Sequence, residues 1–276
     1  MPISLAHPLQ ARDAAGGDPF GYEDVAVIVE TGVVGVDEFA VDPGFGVAAV
    51  DSFLFHDAFD VVAPSMPGYG FSDAGQKVGL DIFAISDMWA KLMSDNLGYQ
   101  RFAAQGGDWA ARVTAKLGLT YGDKVIGIHT TSTTSPTPYL GEGSRELSEA
   151  EKGMLQQRTQ WLADEGGYSH IQSTKPQTLS YGLNDSPAGL AAWIVEKYRK
   201  WSDCNGDVET RFTKDELLTT ITIYWVTQSI NSSTRLYYEA FSKPWDLAKD
   251  EKIQVPVGIA AFPSENTVPI REWSER

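Results

Sequence analysis

Residues 101–113, RFAAQGGDWAARV, hold a single acid, Asp108, between a strand-like run and a helical one. Gly106-Gly107-Asp108-Trp109-Ala110 reads small-x-Asp-x-small. That spacing lets a chain turn sharply from strand into helix and leave the central side chain projecting from the bend. Glycine and alanine suit the flanks because converging backbones leave no room for larger side chains. A carboxylate so presented is a candidate nucleophile: weak by itself, it attacks once its electrophile is activated. The plain alternative is that Asp108 caps the helix, since Asp accepts hydrogen bonds from free amides and its charge suits a helix N-terminus. The turn carries no serine, which disfavours an esterase built on a hydroxyl. His7, His56, His129 and His170 have no His or Cys neighbours at ligand spacing, so neither a metal nor any other cofactor is expected.

The elements around Asp108 should be those of a parallel sheet. Residues 24–30, DVAVIVE, form an apolar run of buried-strand type, and 61–63 a short strand entering a Pro/Gly-crowded turn (64–72). In 82–97, Ile82, Ile85, Met88, Trp89, Leu92 and Met93 fall at helical spacing. Strand 101–104, its helix and a further strand at 124–129 complete a strand–helix alternation, the grammar of a sheet wrapped by helices. Ligands bind such sheets at the carboxyl ends of the strands, where Asp108 would sit. Residues 130–138, TTSTTSPTP, read as a loop leaving the sheet. Helical patterns at 148–164, 186–201, 214–229 and 233–241 then predict an inserted helical cap, with Pro187 at a first helical position and Thr213 as a cap. A last apolar run, 255–262, reads as a strand returning to the core. The expected organisation is core 1–138, cap 139–241 and core 242–276. Residues 1–22 and 33–55 carry no sustained period.

The 276 residues carry 22 Lys plus Arg against 37 Asp plus Glu, a net charge of -15, which argues against nucleic acid or an anionic membrane as partner. Cys204 is the sole cysteine, so no internal disulfide forms, as suits a reducing, cytoplasmic setting. No signal peptide and no run of about 20 apolar residues is seen.

Several stretches resemble the epoxide hydrolases of the α/β hydrolase fold, in their microsomal and fungal branch. They are 61–73 (VVAPSMPGYGFSD), 101–111 (RFAAQGGDWAA), 168–176 (YSHIQSTKP), 183–203 (LNDSPAGLAAWIVEKYRKWSD), 221–239 (ITIYWVTQSINSSTRLYYE) and 255–265 (VPVGIAAFPSE). The resemblance implies Asp108 as nucleophile, the Trp109 amide in the oxyanion hole, and Glu265 as the acid that orients a histidine. It also implies Tyr168 and Tyr237 as cap phenols reaching the epoxide oxygen, with Tyr238 the rival for the second role. The implied reaction takes a small apolar epoxide and water to a vicinal diol through an ester on Asp108, with no cofactor.

Two parts of that pattern are missing. Eleven residues follow Glu265 and none is histidine, and a His-Gly-x-Pro turn should follow the first strand where this chain has TGVVGVDEF. The chain therefore reads as a truncated or altered member lacking the last strand and helix. Its expected activity is slow or single-turnover, and its exposed sheet edge would invite a homo-oligomer. Two other readings stay open: a haloalkane dehalogenase-like hydrolase, which also uses Asp followed by Trp, and a noncatalytic binding or vestigial protein of the same fold.

Overall fold

A computed structural model describes residues 60–73, 78–131 and 136–276, with the backbone of 25–30. The unpatterned stretches 1–22 and 33–55, and the site of the expected His-Gly-x-Pro turn, lie outside the described residues.

Five strands, β1 (Val25–Glu30), β2 (Asp60–Val62), β3 (Arg101–Gly106), β4 (Val125–Thr130) and β5 (Val257–Ile259), form one sheet in the order β2-β1-β3-β4-β5. Every pairing is parallel. The register lines up Glu30, Gly106, Thr130 and Ile259 as one row across the carboxyl ends of four strands. Whatever follows those residues is gathered at one edge of the sheet, with β3 and its turn in the middle.

Helices α1 (Ile82–Lys91) and α2 (Asp108–Thr120) pack on each other, and α2 packs on β3 and β4. Between them Ile82, Ile85 and Met93 meet Phe102, Ala104, Val125 and Ile128 from the strands and Val113 and Leu117 from α2. Each fully buried large side chain here contributes about 1.5–3 kcal/mol relative to exposure. Asp81 starts α1 by accepting from the amides of Phe83 and Ala84, both at 3.0 Å. The helix expected over 82–97 ends as such at Lys91, and Leu92–Asn96 widens into a π turn closed by the Leu97 amide on the Leu92 carbonyl at 2.9 Å. The apolar pattern runs on through that turn, so spacing alone could not distinguish it.

Between β4 and β5 lies a block of six helices where four were expected: α3 (Glu149–Glu165), α4 (Gly167–Thr174), α5 (Pro176–Asp185), α6 (Pro187–Lys200), α7 (Lys214–Thr227) and α8 (Ile230–Phe241). Helices α4 and α5 went unread because they are short, and Pro176, which looks like a breaker, sits at the first helical position where no amide donor is needed. Capping boxes at Ser148–Glu151 and Thr213–Glu216 open α3 and α7, and Ser186 caps α6 before Pro187. Leu183, Leu190, Ile221, Tyr224 and Ile230 form this block's own core. Helix α8 also places Leu236 and Ala240 in the core of the sheet, so it ties block to sheet. Strand β5 is shorter than the apolar run that announced it, and a short helix, α9 (Arg271–Ser274), follows. No helix among the described residues is long and apolar enough to cross a membrane.

Candidate active site

Two close approaches set the turn after β3. A Cβ on Gly106 would lie 2.5 Å from the Ala110 carbonyl carbon and 2.6 Å from the Ala110 Cβ, so α2 can fold back onto the strand only over glycine. A Cβ on Gly107 would meet the Thr131 Oγ1, just past β4, at 2.8 Å. Asp108 then takes φ +48°, the left-handed region that non-glycine residues enter at a cost. Gly107, not Asp108, occupies the position before the first helical residue, and no side chain caps the helix. Simple capping therefore does not describe Asp108, which stands as the first residue of α2 in a strained conformation, with its carboxyl accepting a hydrogen bond from the Trp109 amide. Strain of this kind gathers at functional sites.

Asp108 opens into a cavity of about 410 Å³ between the carboxyl edge of the sheet and the helical block. The carboxyl is accessible through that cavity and enclosed by protein elsewhere. Enclosure raises its pKa, and the nearby charge of Glu265 raises it further, while the Trp109 amide and the cationic Arg112 oppose. Tyr168 of α4 and Tyr237 of α8 line the same cavity, their rings edge-to-face with centroids 5.9 Å apart. Burial and the charge of Asp108 push the Tyr168 phenol up to about 12 and that of Tyr237 well above its ordinary value, so both stay protonated at neutral pH. The Tyr237 ring also packs edge-on against the Trp109 indole, centroids 4.8 Å apart.

Of the residues singled out in the sequence, Asp108, Trp109, Tyr168 and Tyr237 thus meet at one cavity. Glu265, in the segment after β5, lies near enough to act on Asp108 electrostatically and accepts a hydrogen bond from the Asn266 amide at 2.8 Å, but does not line the cavity. Tyr238 turns outward, 50% exposed, and is not in the lining. Among the described histidines, His129 and His170 are exposed and neither lines the cavity.

Sequence reasoning overlooked three contributors. Tyr69 lines the cavity, but its hydroxyl donates to the Ser233 carbonyl at 3.0 Å and so braces α8. Arg112, one turn along α2 from Asp108, lies over the Trp109 and Phe241 rings at 5.2 and 5.7 Å. Lys197 of α6 is a cationic residue in the cavity wall. Their helical spacing was the available signal: Asp108 and Arg112 are four apart, as are Trp193, Lys197 and Trp201, all three in the wall.

The family model described as alpha/beta hydrolase fold matches residues 43–205. Epoxide hydrolase 1 of Sus scrofa is 40% identical over 227 residues, covering 75% of this chain and 50% of that protein. Juvenile hormone epoxide hydrolase of Bombyx mori is 38% identical over 221 residues, covering 73% of this chain and 48% of its own length. The crystal structure of the silkworm juvenile hormone epoxide hydrolase superposes with TM-score 0.66 at 31% identity, over 88% of this chain and 61% of that one. Aspergillus niger epoxide hydrolase gives 0.67 at 27% identity, over 91% and 62%. The chain spans about half the length of the curated relatives it matches. With its sheet order, its turn at Asp108 and these likenesses together, the chain belongs to the alpha/beta hydrolase fold family, where it is similar to epoxide hydrolases.

Proposed function

We propose that this chain opens epoxides through an ester on Asp108. The observation that carries the reading is a carboxylate held at φ +48° on a glycine turn, facing a cavity that two protonated phenols share. One Asp108 oxygen attacks a ring carbon, the carbon–oxygen bond breaks, and the electron pair moves onto the ring oxygen. A phenolic proton satisfies that oxygen as charge develops on it. The Asp108 oxygen that accepts from the Trp109 amide is the one that becomes the ester carbonyl, so that N–H is already aimed where the oxyanion of hydrolysis would form. Glu265 would orient the base for that second step, and hydrolysis would release a vicinal diol. Because no histidine lines the cavity among the described residues, attack should outrun release and the ester should accumulate.

The cavity favours small, largely apolar epoxides. The dehalogenase alternative draws less support, since the two protonated phenols that share the cavity with Asp108 suit a ring oxygen that takes up a proton, which a departing halide does not need. Incubation with styrene oxide followed by intact-protein mass spectrometry tests the proposal. The expected result is a gain of one epoxide mass per chain, mapped to Asp108 and absent from Asp108→Asn. No gain, or a gain the variant keeps, would sink it.

A further inference from the structure

The two cavity phenols have different neighbours, and the difference assigns them different work. Tyr237 is enclosed by neutral rings, Trp109 at 4.8 Å and Phe241 at 6.4 Å between centroids. Tyr168 instead has a cation over its ring: the Lys197 ammonium is 4.9 Å from the Tyr168 centroid and 5.2 Å from that of Trp201. The Lys197 side chain is only 17% exposed and is pinned by Glu196 at 2.8 Å and Glu165 at 3.9 Å. Glu165 is itself shared with Lys200 at 3.5 Å, so two helices, α3 and α6, fix where the ammonium points.

From this geometry we infer that Lys197 is a positioning residue that makes Tyr168, rather than Tyr237, the phenol that gives up its proton when the epoxide opens. The inference rests on the epoxide-opening reading of the cavity. As the ring carbon–oxygen bond breaks, the Tyr168 proton passes to the freed oxygen, which becomes the hydroxyl of the ester intermediate, and Tyr168 is left as phenolate. Solvent returns a proton to it before the next event. A phenolate ring is richer in electrons than a phenol, so a cation over its face is attracted more strongly after the transfer than before. Stabilisation that grows along the reaction lowers the barrier, whereas equal stabilisation of both states would not. Tyr237, with no cation on its face and its ring clamped by Trp109, holds the oxygen by hydrogen bond without surrendering its proton. The charged and titratable groups around Tyr168 are Asp108 at the start of α2, Tyr237 on α8, Lys197 and Glu196 on α6, and Glu165 at the end of α3. Of these, Lys197 favours the phenolate by its charge over the ring and Tyr237 by its hydrogen bond to the Tyr168 oxygen, while the three carboxylates oppose it.

The test is a cycle of variants read by the rate of Asp108 adduct formation with styrene oxide. Lys197→Met should slow the adduct by about 3- to 30-fold, the range a partly desolvated cation–π contact can supply. Lys197→Arg, which keeps a cation over the ring, should recover most of that loss. In a Tyr168→Phe background Lys197→Met should cost nothing further, because the two residues act through one proton. An equal loss in both backgrounds, or none in the first, would overturn the inference. A second readout needs no turnover: alkaline titration of tyrosinate absorbance, taken as the difference from Tyr168→Phe, should show Tyr168 ionising at higher pH in Lys197→Met. If the parent chain forms no adduct, the epoxide reading fails, and this titration alone decides whether Lys197 acts on Tyr168; an unmoved curve refutes it. Lys197→Gln serves in both measurements if the methionine variant does not fold.

Discussion

At the scale of single residues, Asp108 is where stability and the proposed chemistry oppose each other. Its backbone is strained and its carboxyl is desolvated beside Glu265. A folded-state pKa above the ordinary 3.8 means that the folded chain binds the proton more tightly than the unfolded one, so stability falls as pH rises through that window. Asp108→Asn removes the charge and places there a side chain that tolerates the left-handed region. We expect its melting temperature at pH 7 to exceed that of the parent chain, and the gap to close below about pH 4, where both side chains are neutral. Calorimetry at the two pH values checks this. Arg112 acts on the same carboxyl from the other side. Its Nε is buried without a hydrogen-bond partner, and its charge works with the Trp109 amide against Glu265, while Arg158 repels it. Arg112→Met should therefore raise the Asp108 pKa, and the pH profile of adduct formation should move to the alkaline side with its plateau rate nearly unchanged. An unmoved profile would mean that Arg112 only fills space between the Trp109 and Phe241 rings. The turn that presents Asp108 was legible because glycine spacing and a lone acid coincide in five residues. Lys197 and Arg112 were not, because a cation on a helix is by default a solvated one, and only packing shows which rings it covers.

At the scale of elements, most of the helical block could be read from its caps, while its closure onto the rest could not. Ser148, Ser186 and Thr213 announce helix starts by local chemistry that survives any tertiary arrangement. By contrast, the tie between α3 and the segment ending at Arg276 joins residues more than a hundred positions apart, and no period marks it. Glu151 supplies the capping box of α3 and also binds Arg145 at 2.7 Å and Arg276 at 2.8 Å. Its carboxylate touches no solvent, and two guanidinium groups meet it, that of Arg276 nearly buried and that of Arg145 half exposed. Arg276, burial, Arg145 and the Ser148 amide together bring it down to about 2, burial alone working the other way. A depressed folded pKa means stability that is present above about pH 4.5 and lost as pH falls towards 2. Glu151→Gln should cost roughly 2 kcal/mol at pH 7, between the 0–1 of an exposed pair and the 3–5 of a sealed one. Urea unfolding at pH 7 and at pH 3 measures it, and the deficit should shrink at the lower pH, where the unfolded chain takes up the proton that the folded carboxylate still resists. A deficit that does not depend on pH would assign the loss to the cap geometry instead.

At the scale of the whole molecule, the described elements gather at one cavity the groups that the proposed epoxide opening would use. The parallel sheet aligns the ends of β3, β4 and β5, which brings Asp108 and, through the segment after β5, Glu265 within electrostatic reach. The helical block lowers Tyr168 and Tyr237 onto the same cavity. The place of Asp108 was foreseeable from the order of strands and helices, since ligands gather where parallel strands end, whereas Tyr168, Tyr237 and Glu265 were expected only through the resemblance. The shape of the wall was not foreseeable, because part of it comes from Tyr168 and Gln172 of α4, a helix whose local signal is too short to read. The proposed second step needs a base, and among the described residues no histidine lines the cavity, while the Trp109 amide already meets the Asp108 carboxyl. A small base supplied from solution should then do the missing work. Imidazole can act as a general base in a cavity of about 410 Å³ once the diol product's precursor is bound as the ester. We expect the Asp108 adduct to disappear faster in proportion to added imidazole, and the effect to grow with the neutral fraction of the base as pH rises through about 6.5–7. Adduct lifetime by mass spectrometry and diol by chromatography should change together. If imidazole shortens the lifetime without producing diol, it is attacking the ester directly at its alkyl carbon. If it does nothing while hydroxide still does, the cavity closes over the ester too tightly to admit a base.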